Sequence, residues 1–155
     1  MTQTTITPVT TAHLPAVAEM IERGFAACVA PDYGPEGQAT FRAFAAADAI
    51  ARRLIAGNAG FVALERGAIA GFIEVTPERH IPLLFVDPPL HRRGIARRLL
   101  AAALAGRPGA RATVNASPRA VTAYERLGFR PTGPMRLENG LVFRPMALPG
   151  NEGPP

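Results

Sequence analysis

The sequence predicts an α/β fold in which helices flank a mixed, mostly antiparallel sheet. Three observations predict it. Apolar residues recur at helical spacing, as in Val17, Met20, Ile21 and Phe25. Two β-rich runs, Gly60 to Glu65 and Ala68 to Thr76, flank the turn signal Arg66-Gly67. An almost continuous apolar run, His80 to Val86, reads as a central strand buried on both faces. These signals do not repeat as regular βαβ units, so mixed strand directions are expected.

Taken in order, Thr5 to Val9 alternates weakly and reads as a strand. Thr11 is placed to cap a helix over Leu14 to Val29. Pro31-Asp32-Tyr33-Gly34-Pro35 breaks it. Phe41, Phe44 and Ala45 suggest a short second helix, and Asp48 a third with Ile50, Leu54 and Ile55 inward, stopped at Gly57 or Asn58. After the hairpin and the apolar strand, Asp87-Pro88-Pro89 ends the β run, and a helix follows from Gly94 to about Leu104, closed by Gly106 to Gly109. A strand over Arg111 to Asn115 precedes a helix over Ser117 to Leu127, with Gly128 as its stop. Phe129 to Thr132 and Leu141 to Ala147 are expected to pair as closing strands around Asn139-Gly140.

The 155 residues suit one domain, expected over 1–148 with a mobile tail at 149–155. Apolar residues make up 48% and charged residues 19%, which excludes a disordered chain. No apolar run is long enough to span a bilayer, the N-terminus lacks a leader pattern, and Cys28 is the only cysteine. A cytoplasmic protein without membrane contact is the expectation. The 17 basic residues are all arginine, against 12 acidic, for a net +5. A codon bias explains that total as well as a liking for polyanions does. The absence of lysine excludes Schiff-base chemistry by the chain's own side chains. No His, Cys and Asp spacing suggests a metal site.

The informative unit is strand, loop, helix, running from Leu83 through His91-Arg92-Arg93-Gly94-Ile95-Ala96-Arg97-Arg98 to Leu100. A helix start offers free N–H groups with partial positive charge. The small residues Gly94 and Ala96 let an anion approach that backbone, and four arginines surround it. This pattern suits a diphosphate, although a basic solvated helix start would read the same way.

Val86-x-Pro88 followed by His91-Arg92-Arg93-Gly94-Ile95-Ala96 resembles motif A of the GNAT (GCN5-related) N-acetyltransferases. The block Val114 to Val121 and on through Tyr124 to Phe129 is similar to the family's motif B region. His91 departs from the usual glutamine or arginine but can still donate a hydrogen bond. The resemblance implies a GNAT fold, a twisted sheet with a splayed central strand pair. It implies that acetyl-CoA is the cosubstrate, with its pantetheine arm along Leu84, Phe85 and Val86 and its diphosphate over Arg92, Arg93, Gly94, Ile95, Ala96 and Arg97. Asn115 and Ser117 fall beside the arm, and Tyr124 matches the proposed general acid that protonates the leaving thiolate. A phenol stays protonated at neutral pH; its spacing alone would equally make Tyr124 a core residue. The attacking amine also needs a base. His80 is the first candidate, since it shares strand parity with Leu84 and Val86 and takes the position of a glutamate in the histone-acetylating branch. A histidine at a strand edge beside Arg79 is an equal alternative. Glu74 is the second candidate. Cys28, in an apolar helix, is a poor acyl carrier.

The leading expectation is an N-acetyltransferase acting by direct attack of a primary amine, small or peptidic, in a ternary complex. Phe25, Tyr33, Glu36, Phe41 and Phe44 are candidates for the acceptor wall, and Asp32 and Glu36 could attract a cation or simply solvate a loop. Two alternatives stay open: a basic nucleic-acid-binding module, and a CoA-binding GNAT fold without transfer. Few aromatics (6%), no tryptophan and no Cys/His finger argue against nucleic acid. The resemblance admits a homodimer, which no sequence feature demonstrates.

Overall fold

The computed structural model describes residues 3–105 and 111–149. The chain opens with β1 (Thr4–Pro8), α1 (Leu14–Cys28), α2 (Pro35–Phe44) and α3 (Ala47–Ile55). Next come β2 (Ala59–Glu65), β3 (Ala68–Val75), β4 (His80–Ile81), β5 (Leu83–Val86) and α4 (Ile95–Leu104). The last elements are β6 (Ala112–Ala116), α5 (Val121–Arg126), β7 (Arg130–Pro131), β8 (Arg136–Glu138) and β9 (Leu141–Leu148). None of the described helices is long and apolar enough to cross a membrane.

Two sheet halves meet at Pro82. The first runs β1-β2-β3-β5, antiparallel throughout; the second runs β4-β6-β9-β7, with β8 on β9 and β4 parallel to β6. The strand buried on both faces is β3, from Ala70 to Val75, and not the expected His80 to Val86. That run is instead split: Ile81 is its last residue paired with β6, and from Leu83 it pairs only with β3. The backbone bends at Pro82: Arg79 accepts from the Thr113 N–H of β6 at 3.0 Å, while Leu83 and Phe85, of the same parity, turn to β3.

Period-two alternation divides the core. Val62 and Phe72 face α1 and α3, packing with Val17, Met20, Ile21 and Ile50. Ala63 and Ile73 face the other side, with Ile95, Leu99 and Ala103 of α4. Gly71 sets that approach, since a Cβ there would stand 2.9 Å from Leu99 Cδ1. Leu99 is fully buried, and truncating it to alanine would cost about 2–5 kcal/mol.

Several local expectations are corrected by geometry. Thr11 lies inside a 3-10 turn before α1, and Thr10 is the flanking cap, its N–H donating to His13 Nδ1 at 3.0 Å. Ala46 flanks α3; Asp48 sits in the first turn, accepting from the Ala49 N–H at 2.9 Å. Ile55 is 88% exposed, because five residues beyond the buried Ile50 the helix has turned its side chain about 140° from the core-facing side. The helix expected from Ser117 starts at Val121, after a 3-10 turn over Pro118–Ala120. The strand that turns back through Asn139-Gly140 is β8, three residues long, while β7 pairs farther along β9. The glycine stop at 106–109 and the tail from 150 lie outside the described residues.

Candidate active site

The break at Pro82 opens a slot. The Asp87 N–H donates to Ala70 O at 2.8 Å, so by alternation Leu84 and Val86 turn their backbone groups away from β3. On that side β6 has already diverged, and the polar edge of β5 faces open space. A cavity of about 1240 Å³ lies there, with Leu84, Phe85, Val86, Asn115 and Ser117 on its walls. His91 donates from Nε2 to Val86 O at 2.8 Å, so its replacement of glutamine or arginine is compatible with a donor at this edge.

At one end of the cavity lies the start of α4. Gly94 takes φ +77° before the first helical turn, and Arg92 is also left-handed at φ 67°. The first intrahelical bond runs from the Arg98 N–H to Gly94 O at 3.1 Å, which leaves the amides of Ile95, Ala96 and Arg97 without helical partners. A Cβ on Gly94 would meet nothing within 4 Å. A free helix start, open space over it and Arg92, Arg97 and Arg126 on the wall fit the diphosphate of a coenzyme A. Arg93 does not line the cavity: it turns to Glu65 at 3.5 Å. Arg97 reaches across to Arg126 O at 2.7 Å, tying α4 to α5.

Tyr124 of α5 lines the cavity, packing edge-on against Phe129 at 5.4 Å between ring centroids. Burial pushes its phenol well above its ordinary value, so it carries its proton throughout the neutral range. His80 lines the cavity on the β4 side. The bend at Pro82 interrupts the parity expected to join it to Leu84 and Val86, yet all three face the same space. Its Nδ1 lies 2.8 Å from Thr113 Oγ1 on β6, and its backbone N–H donates to Thr76 Oγ1 at 3.0 Å. Burial pushes its imidazole below the usual value, so the ring is neutral at pH 7.

Glu74 does not reach the cavity wall. It is completely buried, and Arg53 grips it from Nε and Nη2 at 2.8 and 2.9 Å, with Asn58 Nδ2 donating to it at 2.7 Å. Those bonds occupy the lone pairs a base would use. Arg53 and Asn58 line the cavity in its place, and the Arg53 guanidinium lies 3.7 Å over the Phe44 ring. Sequence reasoning missed both. A glutamate inside the apolar run Gly71-Phe72-Ile73-Glu74-Val75 was the available signal, because a buried carboxylate requires a partner.

The far end of the cavity is walled by Tyr33, Phe41, Phe44 and Phe143. Phe25 stands behind, stacked on Phe41 at 4.2 Å, and Glu36 is not part of the wall. The Tyr33 hydroxyl donates to Val142 O at 3.2 Å, and Asp32 pairs with Arg119 at 3.2 Å. Among the described residues no cluster of metal-ligating side chains is present. Among the described residues Arg23, Arg42, Arg52, Arg53, Arg93 and Arg119 form ion pairs with carboxylates.

A family model for the GNAT acetyltransferase domain matches residues 29–149. The peptidyl-lysine N-acetyltransferase YjaB of Salmonella typhimurium is 36% identical over 70 residues, which are 44% of this chain and 48% of that protein. The match therefore spans about half the length of that curated relative. A crystal structure of a GCN5-related N-acetyltransferase from Rhodopseudomonas palustris superposes with a TM-score of 0.80 at 23% identity, covering 96% of this chain and 97% of the other. The PaiA N-acetyltransferase of Thermoplasma acidophilum, solved with coenzyme A, gives 0.75 at 16% identity, with 95% and 99% covered. At these identities the superpositions bear on the fold. The matched model runs from the end of α1 past β9 and takes in the slot, the helix start and both walls, so the chain belongs to the GNAT acetyltransferase family.

Proposed function

We propose that the chain transfers the acetyl group of acetyl-CoA to a primary amine by direct attack in a ternary complex. The observation that carries this reading is the continuity of one cavity, from the open helix start at Gly94, past the free edge of β5, to His80 and Tyr124. Arg92, Arg97 and the amides of residues 95–97 hold the diphosphate. Leu84 and Val86 offer backbone groups to the amide-bearing arm, with Asn115 opposite.

Such a placement brings the thioester between His80 and Tyr124. His80 Nδ1 lies 2.8 Å from Thr113 Oγ1, and in the tautomer with the proton on Nδ1 the Nε2 lone pair takes a proton from the incoming ammonium. The freed amine attacks the thioester carbonyl carbon, and the C–S bond breaks as the tetrahedral adduct collapses. The departing thiolate takes the Tyr124 hydroxyl proton, and the second proton that the nitrogen sheds on becoming an amide returns to the phenolate through solvent. Each proton transfer of this kind contributes about 10²–10⁴ in rate. Glu74, tied to Arg53 and Asn58, holds the acceptor end in place and moves no proton.

Cys28 lines the cavity as the chain's single cysteine, which suits the reducing cytoplasm as its setting. The peptidyl-lysine acceptor of the Salmonella relative and free small amines are both within this reading. Free-thiol release measured with acetyl-CoA, with and without a primary amine, tests it. Release that requires both is expected; a protein that binds coenzyme A yet releases no thiol with any amine would overturn it.

A further inference from the structure

The lining of the acceptor end narrows the acceptor's chemistry, on the reading that transfer occurs in this cavity. Six of the chain's ten aromatic residues line it, and five of them, Tyr33, Phe41, Phe44, Phe85 and Phe143, belong to neither α4 nor α5. They form a fixed surface rather than an adaptable one. Phe41 stacks on the fully buried Phe25 with 4° between the rings, and meets Phe85 at 5.7 Å. Phe44 is fixed from its other face by Arg53.

The charges on the same wall are as informative. Among the described residues five arginines line the cavity, against one carboxylate, Glu138, in the exposed strand β8. Arg53 is neutralised by Glu74 and Arg119 is paired with Asp32; Arg92, Arg97 and Arg126 stand at the phosphate end. An acceptor with several ammonium groups needs a carboxylate for each one that leaves water. Among the described residues this wall supplies one at most, so a second ammonium would leave water without a partner.

We infer that the acceptor is a monoamine carried on an apolar body of aromatic size, of the arylalkylamine class. Its ring lies against Phe41, Phe44 and Phe143, and its one amine reaches His80.

The test uses the full chain with acetyl-CoA, following thiol release from 2-phenylethylamine, spermidine, kanamycin and a lysyl peptide. The expected result is a kcat/KM at least about tenfold higher for 2-phenylethylamine than for each of the others, in line with burial of one ring. Phe41→Leu should raise the KM for 2-phenylethylamine about tenfold while the KM for acetyl-CoA holds. Calorimetry of 2-phenylethylamine into the CoA-saturated protein gives a readout independent of turnover, and heat of binding is expected. Equal rates across the panel, or a preference for spermidine, kanamycin or the lysyl peptide, would overturn the inference and leave the transferase reading standing. No thiol release with any amine would overturn both.

Discussion

Replacing Gly94 by leucine separates the fold from the site, because the two costs come from different places. Gly94 sits at φ +77°, where an L-residue is strained by about 1–2 kcal/mol. No atom lies within 4 Å of the added Cβ, so the new side chain starts into open space in the ligand-free chain. For a chain of this size that strain should lower Tm by about 2–8 °C, leaving a folded protein. The open space is also where a phosphate oxygen must enter to reach the amides of Ile95, Ala96 and Arg97. A hydrogen bond to a charged group contributes about 1.5–3 kcal/mol, so losing two of them weakens binding by about 3–6 kcal/mol. Coenzyme A should then bind roughly 10²–10⁴-fold more weakly. Calorimetry with coenzyme A, paired with a thermal scan, reads both quantities. A variant that melts a few degrees lower yet binds coenzyme A within about threefold of the parent would refute the phosphate cradle.

Tyr124→Phe should lower kcat by about 10²-fold with little change in coenzyme A affinity; equal turnover would remove the acid role. Thr113→Val should lower kcat about tenfold and shift the His80 nitrogens in an ¹⁵N spectrum away from the Nδ1–H tautomer, with Thr113→Ser restoring both. Because burial depresses the His80 pKa, protonation disables the base only in acid, so the acid limb of kcat/KM should fall below pH 6.5. The same depression means the unfolded chain binds that proton more readily; the His80 contribution to stability is complete above pH 6.5 and declines as pH falls through it. An acid limb unchanged in His80→Gln would assign it to another group. Glu74→Gln should lower Tm, since breaking a buried ion pair costs about 3–5 kcal/mol, and should raise the acceptor KM while sparing coenzyme A binding.

The sequence made the open helix start at Gly94 readable because local chemistry specifies it. A glycine before a helix, small residues in its first turn and arginines beside it act through backbone geometry within a few residues. The helical stripe of α1 was legible for the same reason: Val17, Met20, Ile21 and Phe25 are all buried. The acceptor end was less legible, because distant segments build it. Phe143 reaches Phe41 and Tyr33 only after the hairpin folds back, and Arg53 meets Glu74 across 21 residues. Caps failed for a different reason. Asp48 and Thr11 are good capping residues by type, but each falls one or two positions inside the turn that the neighbouring chain dictates.

The split of the run from His80 to Val86 shows how one bend couples fold to site. Read by hydrophobicity alone, the run belongs in the middle of a sheet. Arg79 turns its carbonyl to β6, whereas beyond the bend at Pro82 the residues of the same parity, Leu83 and Phe85, turn to β3, so the chain leaves β6 after Ile81 and stays with β3 from Leu83 onward. The first half holds His80 beside Thr113; the second presents an edge at Leu84 and Val86 without a strand partner, the Val86 carbonyl accepting from His91. A continuous strand paired with β6 along its length would bury that edge and close the slot. The apolar run therefore supplies the core with Ile81 and Leu83, and the bend inside it keeps the remaining residues open to a ligand.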